Sequence, residues 1–200
     1  MKKITNDHDP SGYILESERL KFRHITPKDF ASLKEMLSDP QVMYAWEHTF
    51  TDDQIHDWIE TQLSFYRQDN AGYFAAIEKT TGAFVGQMGL HRCEFNQQSV
   101  FEVCYMLKHR NWHHGYALEG IRALTDYAFG EMDLPAVYAQ IKTNNTPSIA
   151  VAESAGFKKK TVFIKHYNGK DMEHFLYSKT KDSHATANIQ VKPLMIPTTK

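Results

Sequence analysis

The sequence predicts a mixed α/β (α+β) domain: a twisted, largely antiparallel sheet of six to seven strands flanked by about four helices. Three observations carry this. Runs of period-2 alternation interleave with runs of helical period, in the order β-α-α-β-β-β-α-β-α-β-β. Capping residues stand in front of each helical run. Asn168-Gly169 sits between two β-branched and aromatic runs, the pattern of a two-residue hairpin turn.

Leu20, Phe22 and His24 alternate with Lys21 and Arg23, a first strand. Thr26-Pro27 opens a helix, with Phe30, Leu33 and Leu37 on its apolar stripe. Thr51 and Gln54 form a capping box for a second helix bearing Ile55, Trp58, Ile59, Leu63 and Tyr66. Tyr73 to Lys79 and Ala83 to His91 are strands joined through Thr80-Thr81-Gly82. Val100 to Leu107 is a further strand. A helix begins near Gly115 and runs through Leu118, Ile121, Leu124 and Ala128. Ala136 to Lys142 reads as a strand and Pro147 to Ala155 as a short helix stopped by Gly156. Val162 to Tyr167 and Met172 to Tyr177 complete the final hairpin.

The domain is expected over 13–180, with a loose polar arm over 1–12 and a flexible tail over 181–200. The tail segment Asn188 to Ile196 offers an alternative, docking on a neighbouring subunit. A net charge of -1 gives no electrostatic case for nucleic acid or a membrane surface. Only Cys93 and Cys104 are present, too few for a disulfide framework and wrongly spaced for a metal site, so reduced thiols in the cytoplasm are expected. His109, His113 and His114 lack the H-E-x-x-H pattern, and no metal is expected.

Two segments carry chemistry. From Glu102 to Glu119 a strand passes through a short loop into a helix that starts around Gly115. The first amides of a helix are unpaired and sit at its positive end, and a glycine there leaves room for a phosphate. On these grounds alone an ordinary helix start is the favoured account. From Asn144 to Phe157 the chain shows a strand end, a capped helix and a glycine stop.

Taken together and in this order, about thirty residues apart, the segments resemble the GNAT superfamily of acetyltransferases, and within it the ribosomal-protein alanine N-acetyltransferase (RimJ/RimL-like) branch. Leu15-Glu16-Ser17-Glu18-Arg19-Leu20-Lys21-Phe22-Arg23 is similar to the opening of that branch. So are Thr81-Gly82-Ala83-Phe84-Val85-Gly86 with Gly89-Leu90, Glu102-Val103-Cys104-Tyr105, Trp112-His113-His114-Gly115-Tyr116-Ala117-Leu118-Glu119, and Asn145, Ser148, Gly156 and Phe157. The resemblance spans roughly Ile14 to Lys179.

It implies a sheet with splayed middle strands and transfer of an acetyl group from acetyl-CoA to a primary amine by direct attack. The amides of His113, His114, Gly115, Tyr116 and Ala117 would hold the pyrophosphate. Met106 and Leu107 would pair with the pantetheine arm, and Asn145 and Ser148 would contact the cofactor. A backbone N–H of the Glu102–Leu107 strand would polarise the thioester carbonyl. Glu102 is the implied base; from the residues alone the favoured reading is a solvent-facing strand glutamate. Ser148 is the implied acid or merely a helix cap, because Ala152 stands where many members have a tyrosine, and Tyr167 is a weaker substitute. Trp46 and Phe50, with Glu102, are the implied walls of the acceptor site.

Cys104 replaces a glycine next to the strand's usual bulge, so the bulge is expected to be altered. Lys158 to Lys160 read as a solvated face. The implied acceptor is a protein or peptide N-terminal α-amine. The alternatives are a small free amine (a polyamine, an amino acid or an antibiotic) and a CoA-binding sensor without activity. A homodimer is compatible with the branch.

Overall fold

The computed structural model describes residues 12–181. The arm expected over 1–12 and the tail over 181–200 therefore fall almost wholly outside the described residues, as does Asn188 to Ile196. One eight-stranded sheet runs in the order β1-β2-β3-β4-β5-β6-β8-β7, with four α-helices. The elements are β1 (Tyr13–Glu16), β2 (Leu20–His24), α1 (Phe30–Leu37), α2 (Asp52–Asp69), β3 (Gly72–Glu78), β4 (Phe84–Phe95), β5 (Gln98–Leu107), α3 (Tyr116–Gly130), β6 (Ala136–Lys142), α4 (Thr146–Ser154), β7 (Lys158–Tyr167) and β8 (Lys170–Thr180).

The sheet has one strand more than the seven expected. The addition is β1, four partly exposed residues that show no alternation and pair antiparallel with β2 through an irregular register. Its apolar residues Ile14 and Leu15 pack on the core cluster shared with α3. The hairpin β4–β5 is also longer than predicted. It turns at Asn96-Gln97, both at positive φ, and Asn tolerates that conformation better than most residues. Asn168-Gly169 turns in the same conformation, as expected.

The helix starts follow the chemistry of their caps. Thr51 Oγ1 accepts from the N–H of Gln54, and Gln54 Oε1 accepts from the N–H of Thr51. At Thr26, Asp29 Oδ2 accepts from both the amide and the hydroxyl of Thr26, and a short 3-10 turn precedes α1. Asn145, rather than Ser148, caps α4, its Oδ1 accepting from the N–H of Ser148.

Two apolar layers clasp the sheet. On one face Phe22, Phe74, Met88, Val103, Ile121, Leu124 and Phe157 join α3 and α4 to the strands. On the other, Leu33, Met36, Ile55, Ile59, Ala75 and Met106 join α1 and α2. Burying side chains of this size stabilises by about 1.5–3 kcal/mol each. Strands β3 and β4 approach closely at Gly89, where a Cβ would come within 1.9 Å of the Gly72 carbonyl oxygen.

All neighbouring pairs are antiparallel except β5 and β6, which run parallel and meet at a single pairing, Glu102 with Tyr138. Beyond it the two strands diverge into a fork. No helix among the described residues is long and apolar enough to cross a membrane.

Candidate active site

The fork opens into a cavity of about 380 Å³ whose wall includes Trp46, Trp58, Glu102, Asn145, Ser148 and Tyr167. Strand alternation sends Glu102 and Cys104 toward α1 and α2, while Val103 and Tyr105 face α3 and α4. Glu102 is 6% exposed, so the reading of a solvent-facing glutamate does not hold. Its Oε1 accepts from the backbone N–H of Gln140 at 3.1 Å, and its Oε2 lies 3.5 Å from His91 Nε2. Burial lowers the pKa of His91, whose Nδ1 is 3.4 Å from Cys104 Sγ. Burial likewise raises the pKa of the Cys104 thiol and pushes that of Cys93 to about 12, so both are protonated at neutral pH.

On the other side of the sheet, Tyr105 donates its hydroxyl to Ser148 Oγ at 3.0 Å. Burial pushes the Tyr105 phenol up to about 12, although the bond to Ser148 works against that shift. Tyr105 is a site residue the sequence did not single out. It lies 43 positions from Ser148, and no pattern links the two.

The ladder between β4 and β5 keeps one register from Phe95–Gln98 to Gly86–Leu107, so the bulge in question is absent on this side. Lys108 donates its N–H to the Val85 carbonyl. Antiparallel alternation then directs the backbone groups of Met106, Cys104 and Glu102 toward β4 and those of Leu107 and Tyr105 toward the fork. Of the two residues expected to offer their backbone there, Leu107 faces the fork and Met106 does not. The Leu107 carbonyl is already taken by Trp112 Nε1 at 3.0 Å, which leaves its N–H.

Trp112 leads into the loop before α3. His113 and Gly115 both have positive φ, and Gly115 is the N-cap with no side-chain cap bond. Tyr116, Ala117 and Leu118 open the helix, so their N–H groups have no partner within it. Among the described residues no backbone acceptor takes the N–H of His113, His114 or Gly115. Arg19 stiffens this loop: Nη1 donates to the His114 carbonyl, Nε bonds Glu119, and the guanidinium lies over the Tyr116 ring at 4.6 Å. A row of unpaired amides at a helix start suits an anionic phosphate group, and a fork edged by the Tyr105 and Leu107 amides suits an extended amide-bearing arm.

The acceptor end is closed by the segment between α1 and α2. Tyr44 donates to Asn145 Oδ1 at 2.6 Å. Glu47, at positive φ, bridges Lys142 of β6 and Lys170 of β8. These two lysines hold the Glu47 carboxyl at about 2. Trp46 packs edge-on against Tyr167, and His48 Nε2 lies 3.4 Å from the Tyr167 hydroxyl. Phe50 does not line the cavity; it stands behind Trp46 and Trp58 and stacks on His48. Trp58 is held by Gln87 Oε1 at 2.9 Å. Lys158 to Lys160 are exposed at the start of β7, with Lys159 over the Phe175 ring. Among the described residues no group of three or more His, Cys, Asp or Glu side chains is placed to hold a metal ion.

A family model described as the acetyltransferase (GNAT) domain matches residues 19–158. The uncharacterized protein YkkB of Bacillus subtilis is 33% identical over 143 residues, covering 71% of this chain and 83% of its own. An uncharacterized N-acetyltransferase, p20 of Bacillus licheniformis, is 29% identical over 176 residues, covering 86% and 98%. Among solved structures, a GNAT-family acetyltransferase from Bacillus anthracis superposes with a TM-score of 0.72 at 25% identity, covering 84% of this chain and 98% of its own. Two more share the fold at a TM-score of 0.67. One is the spermidine N-acetyltransferase of Vibrio cholerae in complex with CoA and spermine (15% identical, covering 82% and 96%). The other is RimL, a ribosomal L7/L12 alpha-N-protein acetyltransferase in complex with CoA (14% identical, covering 82% and 95%). With its forked sheet, its amide-lined helix start and a family model matched over most of its length, the chain belongs to the GNAT acetyltransferases, N-acetyltransferases that draw their acetyl group from acetyl-CoA.

Proposed function

We propose that this enzyme acetylates a small primary amine, bound as a free molecule in the cavity at the fork of β5 and β6. The observation that carries this is the strap over the acceptor end. Tyr44 reaches Asn145, Glu47 bridges Lys142 and Lys170, and Trp46 packs on Tyr167, leaving a partly covered cavity of about 380 Å³. A free amine fits such a space, as for the spermidine acetyltransferase, whereas a protein N-terminus, as for RimL, calls for a groove with an open end. The RimJ/RimL-like sequence resemblance supports the second acceptor class, which would require the Glu47 bridges to part.

Bound acetyl-CoA supplies the thioester whose acetyl carbon the amine attacks. In this reading the amides from His113 to Ala117 hold its pyrophosphate, and Asn145 and the Leu107 amide orient its arm. The Tyr105 or Leu107 N–H, facing the fork, stabilises negative charge on the carbonyl oxygen. Glu102 attracts the ammonium and accepts its proton, directly or through water, with neutral His91 beside it. As the C–N bond forms and the C–S bond breaks, the departing sulfur takes a proton from Ser148, Ser148 takes one from Tyr105, and the Tyr105 phenolate regains its proton from solvent before the next turnover. This pair does the work of the tyrosine that Ala152 replaces. Holding both reactants in one cleft supplies much of the acceleration.

The test is thiol release from acetyl-CoA across a panel of small primary amines and N-terminal peptides. Turnover concentrated in the small amines is the expected result. Equal or better turnover of peptides would transfer the enzyme to the protein-acetylating reading, and CoA binding with no acceptor consumed would indicate a CoA-binding sensor.

A further inference from the structure

The cavity contains a positive charge that acetyl transfer does not use. Lys165, on β7, lines it together with Glu102 and is half-buried. Among the described residues no carboxylate forms an ion pair with Lys165, whereas Lys142, the other lysine of the wall, is taken by Glu47. The Glu102 carboxylate shares the cavity, held by the Gln140 amide and close to His91, and forms no ion pair with Lys165.

The other titratable groups of the wall offer no negative charge. His174 is buried with Nδ1 2.9 Å from the Met172 carbonyl. Burial lowers the pKa of both His174 and His91, and the Lys165 ammonium works in the same direction. The Tyr73 phenol and the two thiols are held protonated by burial. With no carboxylate in ion-pair contact, the Lys165 ammonium is open to direct contact with an anionic group of a bound ligand. The lining also carries the aromatic side chains of Trp46, Trp58, Phe65, Tyr73 and Tyr167.

We propose that the acceptor is an amino acid with a large apolar side chain, its α-amine directed to Glu102, its α-carboxylate bound by Lys165 Nζ, and its side chain laid on the aromatic wall. This rests on the small-amine reading and narrows it. The amine nitrogen bonds to the acetyl carbon, the C–S bond breaks, one proton leaves the ammonium and one is gained by the thiolate. The carboxylate stays ionised and paired throughout. Lys165 is thus a specificity residue that contacts substrate away from the reacting atoms.

The experiment compares kcat/KM for phenylalanine, leucine and tryptophan with the values for their α-amides, which keep the amine and side chain but lose the negative charge. Because the α-amine of an amide is the more readily deprotonated, a preference for the acid cannot come from basicity. The expected result is an acid-to-amide ratio of about tenfold or more in the parent enzyme, or at least ~1.4 kcal/mol. Lys165→Met should collapse that ratio and Lys165→Arg should retain most of it. Amides used as well as acids by the parent overturn the proposal without recourse to any variant. So does a Lys165→Met enzyme that loses acid and amide in equal proportion. Turnover of other small amines with neither acid nor amide accepted removes this proposal alone, while no turnover of any small amine removes the small-amine reading with it.

Discussion

Glu102 accepts the backbone N–H of Gln140 at 3.1 Å, two residues past the point where β5 and β6 last pair. The carboxylate therefore does two jobs. It satisfies an amide that the diverging strands have left without a ladder partner, and it places negative charge in the cavity. The two can be separated. Glu102→Gln keeps an oxygen for Gln140 and removes the base, so kcat should fall by about 10²–10⁴-fold with CoA affinity and Tm little changed. Glu102→Ala also orphans the amide and should lower stability by a further ~1–3 kcal/mol. Steady-state kinetics, CoA titration and thermal melting of the two variants decide this.

Tyr105 and Ser148 act as a unit if the Tyr105 hydroxyl feeds the proton lost to sulfur. Tyr105→Phe and Ser148→Ala should each lower kcat by about 10- to 100-fold, and the double variant should be little worse than either single one. With its pKa near 12, the phenol is protonated across the neutral range. Loss of activity from this pair is therefore expected only at strongly alkaline pH, which a pH–rate profile extending above pH 10 would show.

Glu47→Gln cuts both bridges of the strap and releases Lys142, a residue of the cavity wall. KM for small amines should rise severalfold and bulky or peptidyl amines should gain relative to them, with Tm lowered only slightly, because Glu47 and Lys170 are exposed although Lys142 is largely covered. In the parent the Glu47 pKa near 2 keeps the bridges charged down to strongly acidic pH. Their contribution is present above the ordinary glutamate range and is lost as pH falls through about 2. A competition assay between a small and a peptidyl amine reads the effect.

Arg23 holds the buried Asp29 with two bonds, 2.8 and 2.7 Å, at the entry to α1. Burial opposes the Asp29 charge, yet the bonds from Arg23 and Thr26 leave its pKa below the ordinary value. The stabilisation is complete above about pH 4 and lost as pH falls through the depressed value. Asp29→Asn strands the guanidinium and should cost about 3 kcal/mol at pH 7, with a smaller difference near pH 2. Urea melts at the two pH values measure it.

Much of the framework was legible because it is local. A capping box at Thr51–Gln54, the turn at Asn168-Gly169 and the glycine before α3 each act within four residues. The candidate site was legible only where a family pattern names the residues. Nothing local announces that Tyr105 will meet Ser148, that Glu47 will reach Lys142 and Lys170, or that Lys165 will face the cavity rather than solvent. Those contacts depend on how β6, β7 and β8 are placed after folding. The strand β1 was missed because it borrows stability from β2 and α3 and has no pattern of its own.

The pairing of Glu102 with Tyr138 also makes the cleft blind. At that vertex the backbones of β5 and β6 meet, and the carboxylate fills the adjoining gap at Gln140. At this end the two halves of the sheet are joined, so whatever lies along the fork enters from the side where β5 and β6 have parted.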